Sequence, residues 1–472
     1  MPGKFPAPIY LEAVLRPNFE DAQRYYLEDL LSIKIAHTRM LAESLIIPAG
    51  AADQIVAALQ AIDPAKVREV RYDGSCEDLY FYLESQVVNQ IGEDTAGLMR
   101  VARSRNDVAL TLYRMGARRE LLRVLDALTA LRSCVLDLAA KHRHTVMPAH
   151  THTQPAQPTT LAHYLLAVAE FLARDAARLL AACTNVNRSP MGSGAITTTG
   201  FPIRRERTAE LLGFEGLIEN SYGAIGAIDY LTESSAALSV AMINLGRFVQ
   251  DLLLWSMQEF GYLRLPDAFV QISSIMPQKR NPVAIEHVRI MASAALNEAI
   301  SVMQSVHNTP FGDIVDSEDD LQPTAFHAFE HARRALSLLA AVLAEAEVNV
   351  DRLRERAGKN FITVTEVADT LVREAGLPFA KAHEIVHRAV KVARDEEELV
   401  KAIAAEGLLD EATLRRAVDP VHFVAIRGII GGPAPEETAR AIESARSVLE
   451  ADIEEIEARK ARIYGPSPKL RQ

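Results

Sequence analysis

The sequence predicts an all-α protein built on a central bundle of unusually long helices, and three observations carry that expectation. Ala and Leu dominate the 49% of hydrophobic residues, aromatics are only 6%, and 23 Gly and 22 Pro are few for 472 residues, a composition that favours helix over sheet. Apolar residues recur at helical spacing over stretches far longer than an ordinary helix. The Gly- and Pro-bearing polar segments fall between those stretches rather than inside them.

Taken in order, one stripe runs from Leu121 through Leu125, Leu128, Leu131, Val135 and Leu138. A second joins Leu161, Leu165, Val168, Leu172 and Leu179; a third joins Leu238, Met242, Leu245, Val249, Leu252 and Trp255. Further helices are expected from about 282 to 306 and from 322 to 350. Each would be about 25 to 35 residues, roughly 35 to 50 Å long, against a typical helix of about 11 or 12 residues. Such helices must bury their apolar sides on one another, within the chain or across subunits, so an oligomer built around the bundle is expected. The chain is also too long for one compact core. It divides into an amino-terminal helical domain (1–107), the bundle (108–353) and a smaller domain (354–472) of shorter helices ending in GGPAPEE and a charged helix.

A net charge of −11 argues against nucleic acid or an acidic membrane as the main partner, since both demand a basic face. It leaves room for an anionic small molecule held by a local cluster of cations. Cys76, Cys134 and Cys183 form no CxxC or other metal-ligand pattern and read as reduced, mostly buried thiols. The start, MPGKFPAPIYLEAV, has no signal-peptide core, and no stretch is read as a membrane span. A soluble, cytoplasmic protein is expected.

Chemistry is sought in the loops. Ser104, Arg105, Asn106 and Asp107 precede a long helix, where a guanidinium, donors and a helix end make a carboxylate receptor; the alternative is a plain N-cap cluster. His150, Thr151, His152, Thr153 and Gln154 lack a third ligand at metal spacing, and a His among hydroxyl and amide donors suits general acid–base work. The alternative there is a hydrogen-bonded structural His. Ser273, Ser274, Met276, Lys279, Arg280 and Asn281 lie in a loop ending at Pro282, read as the first residue of a helix; Glu286 follows on its first turn, where a carboxylate could pair with an imidazole. Neither serine sits in a GxSxG elbow, which disfavours a Ser-His-Asp hydrolase. Gly192, Ser193 and Gly194 read as a backbone turn, without the strand and GxGxxG of a nucleotide loop. The inventory of carboxylate receptors and one imidazole, with no metal or cofactor site, suits proton chemistry on a polyanionic small molecule.

The order RSRND, HTHTQPAQP, GSGAI and SSIMPQKRNP, with a Glu four residues further on, resembles the fumarase/aspartase superfamily, and RSRND resembles its argininosuccinate lyase branch. DLLSIKIAHTRML, FPIRRE and EVADTLVREAGLPFAKAHE are similar to that branch too, over roughly residues 20 to 390. The resemblance implies three mostly helical domains, a homotetramer cored by the long helices, and active sites each built from loops of three subunits. It implies β-elimination of fumarate from an N-substituted aspartate without a cofactor. Ser273 is then the base that takes the proton beside a carboxylate, and His152, oriented by Glu286, protonates the departing nitrogen. Ser104, Arg105, Asn106, Thr151, Gln154, Ser274, Met276, Lys279 and Asn281 hold the substrate, under a lid formed by the signature loop.

The sequence departs from that pattern mostly on one side. Where the branch carries a Tyr, a Gln and a Lys for the arginine half of its substrate, Gly312, Ser317 and Asp320 stand here, in an acidic stretch with Asp313, Asp316, Glu318 and Asp319. That stretch could greet a cationic amine, or be a solvated acidic loop. The EDxH motif reads Glu77, Asp78, Leu79, Tyr80, without its His, and the lid begins at Ile272 rather than Gly. The expected reaction therefore keeps its fumarate half while the amine is open: argininosuccinate, ethylenediamine disuccinate, or a substrate of adenylosuccinate lyase or carboxymuconate cycloisomerase type. A non-catalytic member, as among lens crystallins, is the remaining alternative.

Overall fold

A computed structural model describes residues 6–465; the first five residues and the last seven of the expected third domain lie outside the described residues. Helix α1 (Leu27–Glu43) and helix α2 (Leu79–Ile91) anchor the amino-terminal part. Five long helices follow: α3 (Arg105–Lys141, 37 residues), α4 (Leu161–Val186, 26), α5 (Asp229–Ser256, 28), α6 (Val283–Val306, 24) and α7 (Gln322–Glu345, 24). Pro282 is the N-cap of α6 rather than its first residue, and α7 stops at Glu345, short of the expected 350, because the chain turns extended there to pair Glu347–Val348 with Leu263–Arg264.

The predicted stripes are the core. Leu121, Leu125, Leu128, Leu131 and Val135 of α3 have no exposed surface, and each such side chain contributes about 1.5–3 kcal/mol on burial. Helix α3 packs on α4 and α7, α5 on α4 and α6, and α6 on α7. By length and composition α5 could cross a membrane, which differs from the sequence expectation. In the fold, however, its face from Tyr230 to Trp255 is sealed in the bundle, as for a core helix.

Short antiparallel ladders are the departures from a purely helical chain. The most important is a hairpin of β1 (Val146–Thr151) and β2 (Gln154–Thr160), in a segment read as loop. Residues 361–418 gather a separate apolar core around Val367, Leu371, Ile385, Leu399 and Leu414. The last helix, α8 (Pro435–Tyr464), returns to the bundle instead: Ile442, Leu449 and Ile456 join the main core, and Lys460 pairs with Asp126 at 2.6 Å. The expected domain 354–472 thus divides by packing into these two parts.

Candidate active site

The RSRND segment forms the helix cap expected of it. Ser104 is the N-cap of α3 in a capping box: its backbone N–H donates to Asp107 Oδ1 (2.9 Å), and its hydroxyl accepts from the N–H of Asn106 (3.3 Å). Asp107, fully buried, also accepts from the backbone of Gly192 (2.9 Å) and Gly194 (3.1 Å), so the Gly turn is a backbone clamp on this helix end. Gly194 needs its φ of +58°, and a Cβ there would meet the Thr198 carbonyl at 2.9 Å.

Sequence reasoning missed what holds the turn from beneath. The carboxylate of Glu84, on α2, receives Lys34 (3.1 Å), Arg100 (2.7 Å) and Arg103 (2.6 Å). Lys34 and Arg103 are buried, and Lys34 lies 3.5 Å from the centroid of the Tyr80 ring, the residue that replaces the EDxH histidine. Burial alone would push the Glu84 carboxyl up, but Lys34 and Arg103 outweigh it and hold it below its ordinary value. Lys34, sharing that one anion with two guanidinium groups, is pushed well below the usual lysine range by burial and by Arg103. Between Arg100 and Arg103, Ala102 sits at φ +58°, and His37 meets the carbonyl of Val101 at 2.8 Å. Burial and Arg103 push His37 down to about 3, so it is neutral. The available signal was a Glu five residues after Leu79, on the helix that follows Glu77 and Asp78.

Arg105 pairs with Glu77 (2.6 Å) and Asp78 (3.1 Å), and the Asn106 amide donates to Asp313. Asp78, Arg105, Asn106 and Asp313, together with Tyr80, Tyr113 and Glu318, line a cavity of about 290 Å³. The Tyr113 hydroxyl donates to Asp319 (2.5 Å). Burial, then the hydrogen bond and charge of Asp313, push Glu318 up to about 7. The 308–323 segment, open in the sequence between a solvated loop and an amine receptor, therefore lines a cavity beside the carboxylate receptor. Gly312 and Asp320 do not line it, nor does Ser317.

Thr151 and Gln154 close the β1–β2 hairpin, and the two residues between them, His152 and Thr153, have φ of +52° and +62°. That is the sign pattern of a type I′ turn, which ordinarily selects Asn-Gly. Non-Gly residues there cost roughly 1–2 kcal/mol each, and such local strain clusters at functional positions. All four residues are exposed.

In the third loop, β3 (Gln271–Ile272) pairs with β4 (Arg280–Asn281), which closes the signature segment on itself. Ser273 Oγ accepts from the backbone N–H of Met276 (3.1 Å) and Ile275 (3.4 Å). Ser274, Met276 and Lys279 point outward, with Met276 37% exposed. Glu286 is exposed on the first turn of α6, and among the described residues no imidazole hydrogen-bonds or pairs with it.

Among the described residues, no hydrogen bond or cavity joins two of these three loops. One protomer brings Ser104, Arg105 and Asn106 together, and separately Thr151, His152 and Gln154, and separately Ser273, Ser274, Met276, Lys279 and Asn281.

A bundle of over-long helices carrying three polar loops at its turns defines a lyase of the fumarase/aspartase fold. Residues 18–297 match the family described as Lyase, and residues 361–425 match the argininosuccinate lyase C-terminal family. The chain is 41% identical over 470 residues to argininosuccinate lyase 2 of Agrobacterium fabrum, covering 95% of this chain and 92% of that protein. It is 39% identical over 440 residues to argininosuccinate lyase of Methanoculleus marisnigri, covering 92% and 89%. Among solved structures, a variant EDDS lyase with bound fumarate superposes with a TM-score of 0.86 at 30% identity, over 98% of this chain and 94% of that one. The chain belongs to the argininosuccinate lyase family and is a lyase of the carbon–nitrogen type.

Proposed function

We propose that the protein releases fumarate by β-elimination from argininosuccinate or another N-substituted aspartate, in sites assembled from three protomers of a homotetramer. The observation that carries this reading is the separation of three complete polar loops, each presented at a bundle turn and none able to form a site alone. Exposed apolar residues on the bundle helices, Val240 and Ile243 of α5 and Ile290 of α6, offer the faces for such an assembly.

In the reaction, Ser273 removes the proton from the carbon beside one carboxylate. The electron pair enters that carboxylate, giving a dianion, and then forms the C=C bond as the C–N bond breaks. A serine needs help to serve as a base. The two backbone N–H groups aimed at Ser273 Oγ favour its alkoxide, and Lys279 and Asn281 would meet the dianion. Ser104, Arg105, Asn106, Thr151, Gln154 and Ser274 hold the carboxylates, with Met276 packed on the carbon chain. His152 delivers a proton to the leaving nitrogen, directly or through water, with Glu286 orienting the ring. The chemistry closes with side chains alone.

A second reading, a non-arginine amine such as that of ethylenediamine disuccinate, is favoured by Gly312, Ser317 and Asp320 and by the likeness to EDDS lyase. Fumarate absorbance is the test, with argininosuccinate, ethylenediamine disuccinate, adenylosuccinate and aspartate offered side by side. Fumarate release from any of them supports the elimination; release from argininosuccinate alone assigns the arginine amine, and release only from another N-substituted aspartate assigns the second amine. Silence on all four, without succinate binding, points to a non-catalytic member.

A further inference from the structure

Behind the β1–β2 hairpin lies a second cavity, of about 580 Å³, which His150 and Thr153 border but Thr151, His152 and Gln154 do not. Its walls are aromatic: Tyr164 from α4, Trp255 from α5, Phe260 and Phe423. The Tyr164 and Trp255 rings stand 4.8 Å apart at 55°, and His150 meets Phe260 at 6.5 Å and 51°. The hairpin roofs the space with Met147 and Pro148.

One charged group in this lining lacks an opposite charge. Asp251 of α5 accepts a hydrogen bond from the Tyr164 hydroxyl (2.6 Å), yet among the described residues no cation lies within ion-pair distance of it. Arg247, one turn earlier on the same helix, makes no ion pair with it. The cations of the lining are committed or neutral. Arg427 is spent on Glu366 (3.0 Å), on the Phe423 carbonyl (2.6 Å) and on the face of the Phe423 ring. His163 is held by Thr159 (2.8 Å) and the Gly431 carbonyl (3.0 Å). Burial pushes His150 below its ordinary value, so it is neutral at pH 7. A half-buried carboxylate facing aromatic walls, with no cation of its own, is the donor set that holds an ammonium. The carboxylate supplies a charge-assisted hydrogen bond and the ring faces supply cation–π attraction.

We propose that this cavity binds a small organic cation, an ammonium group on an apolar or aromatic body, independently of the reacting site. Trp255 is the chain's single tryptophan, so its emission reports on the cavity directly. The experiment titrates the whole assembled protein with phenethylammonium, by Trp255 fluorescence and by calorimetry, with 2-phenylethanol as the neutral counterpart. Saturable binding of the cation is expected. It should weaken roughly tenfold or more for the alcohol and for Asp251→Asn, which keeps the acceptor for Tyr164 but loses the charge. Tyr164→Phe should retain the cation, and Ala167→Phe, filling the cavity from α4, should exclude it. Excess succinate should not displace it, whatever the reaction proves to be. No saturable heat or emission change, equal binding of cation and alcohol, or full displacement by succinate each overturns the proposal.

Discussion

The turn that opens α3 and the loop Gln271–Asn281 carry the same kinds of side chain, hydroxyls, amides and cations suited to carboxylates, but they are built differently. The turn is tied from three sides: Glu84 grips Arg100, Arg103 and Lys34 beneath it, Asp107 clamps it to Gly192 and Gly194, and Arg105 leans on Glu77 and Asp78. The loop is exposed nearly throughout and is tied by its own two-residue ladder and by Arg280 to Asp267 and the Leu265 carbonyl. A receptor that must meet a carboxylate in one geometry gains from being preset. A segment that must bring a base to the substrate and exclude water gains from being weakly tied. The contrast implies that substitutions in the loop act on chemistry and those beneath the turn act on stability.

The largest expected effect tests the loop. Ser273→Ala should lower kcat by about 10²–10⁴-fold with thermal unfolding and oligomeric state unchanged; near-normal turnover would remove Ser273 as the base. Glu84→Gln should do the reverse, costing about 3–5 kcal/mol of stability, because Lys34 and Arg103 are left buried without an anion. Glu84 also predicts a pH dependence. Its folded-state value lies below the unfolded one, so its contribution is complete above about pH 4.3 and is lost as pH falls through the folded value. Acid unfolding of Glu84→Gln should lack that limb, and identical acid profiles would break the account of the turn.

Lys279→Met should weaken succinate binding roughly 10-fold or more, by loss of one charge-assisted contact, without moving the melting temperature. Unchanged affinity by calorimetry would place Lys279 outside the site. Glu318 sharpens the amine side. With a folded value raised to about 7, its contribution is complete below the unfolded carboxylate range and is lost as pH rises toward 7. Its carboxyl should titrate near 7 by carbon NMR, and lower in Asp313→Asn; a titration near 4 in the parent would contradict the pairing of Glu318 with Asp313 in this cavity. The smallest effect is expected at the hairpin: Thr153→Gly should stabilise by up to about 1 kcal/mol, by relieving a left-handed residue, read as a rise in melting temperature.

The bundle was legible because its signal is periodic and long. Leu121 to Val135 and Leu238 to Trp255 repeat at helical spacing, and only one-sided burial uses such a repeat. Ser104 and Asp107 were legible as a cap because capping is local, three residues reaching their own backbone. The β1–β2 hairpin was not, since His152 and Thr153 occupy positions where Asn-Gly would have announced the turn. Nor was the return of α8 to the bundle, where three apolar residues among many charges decide the face.

By itself, then, the sequence determined the helical class, the long bundle and the three polar loops with their order, all properties of residues near one another in the chain. Tertiary structure decided the rest: that Glu84 and Lys34 lie under a turn far along the chain, that Asp313 and Glu318 share a cavity with Asn106 and Tyr113, and that Asp251 faces aromatic rings from two other segments. These depend on which helix faces meet across the bundle. That choice is made by packing and charge between distant segments and leaves no periodic trace along any one of them.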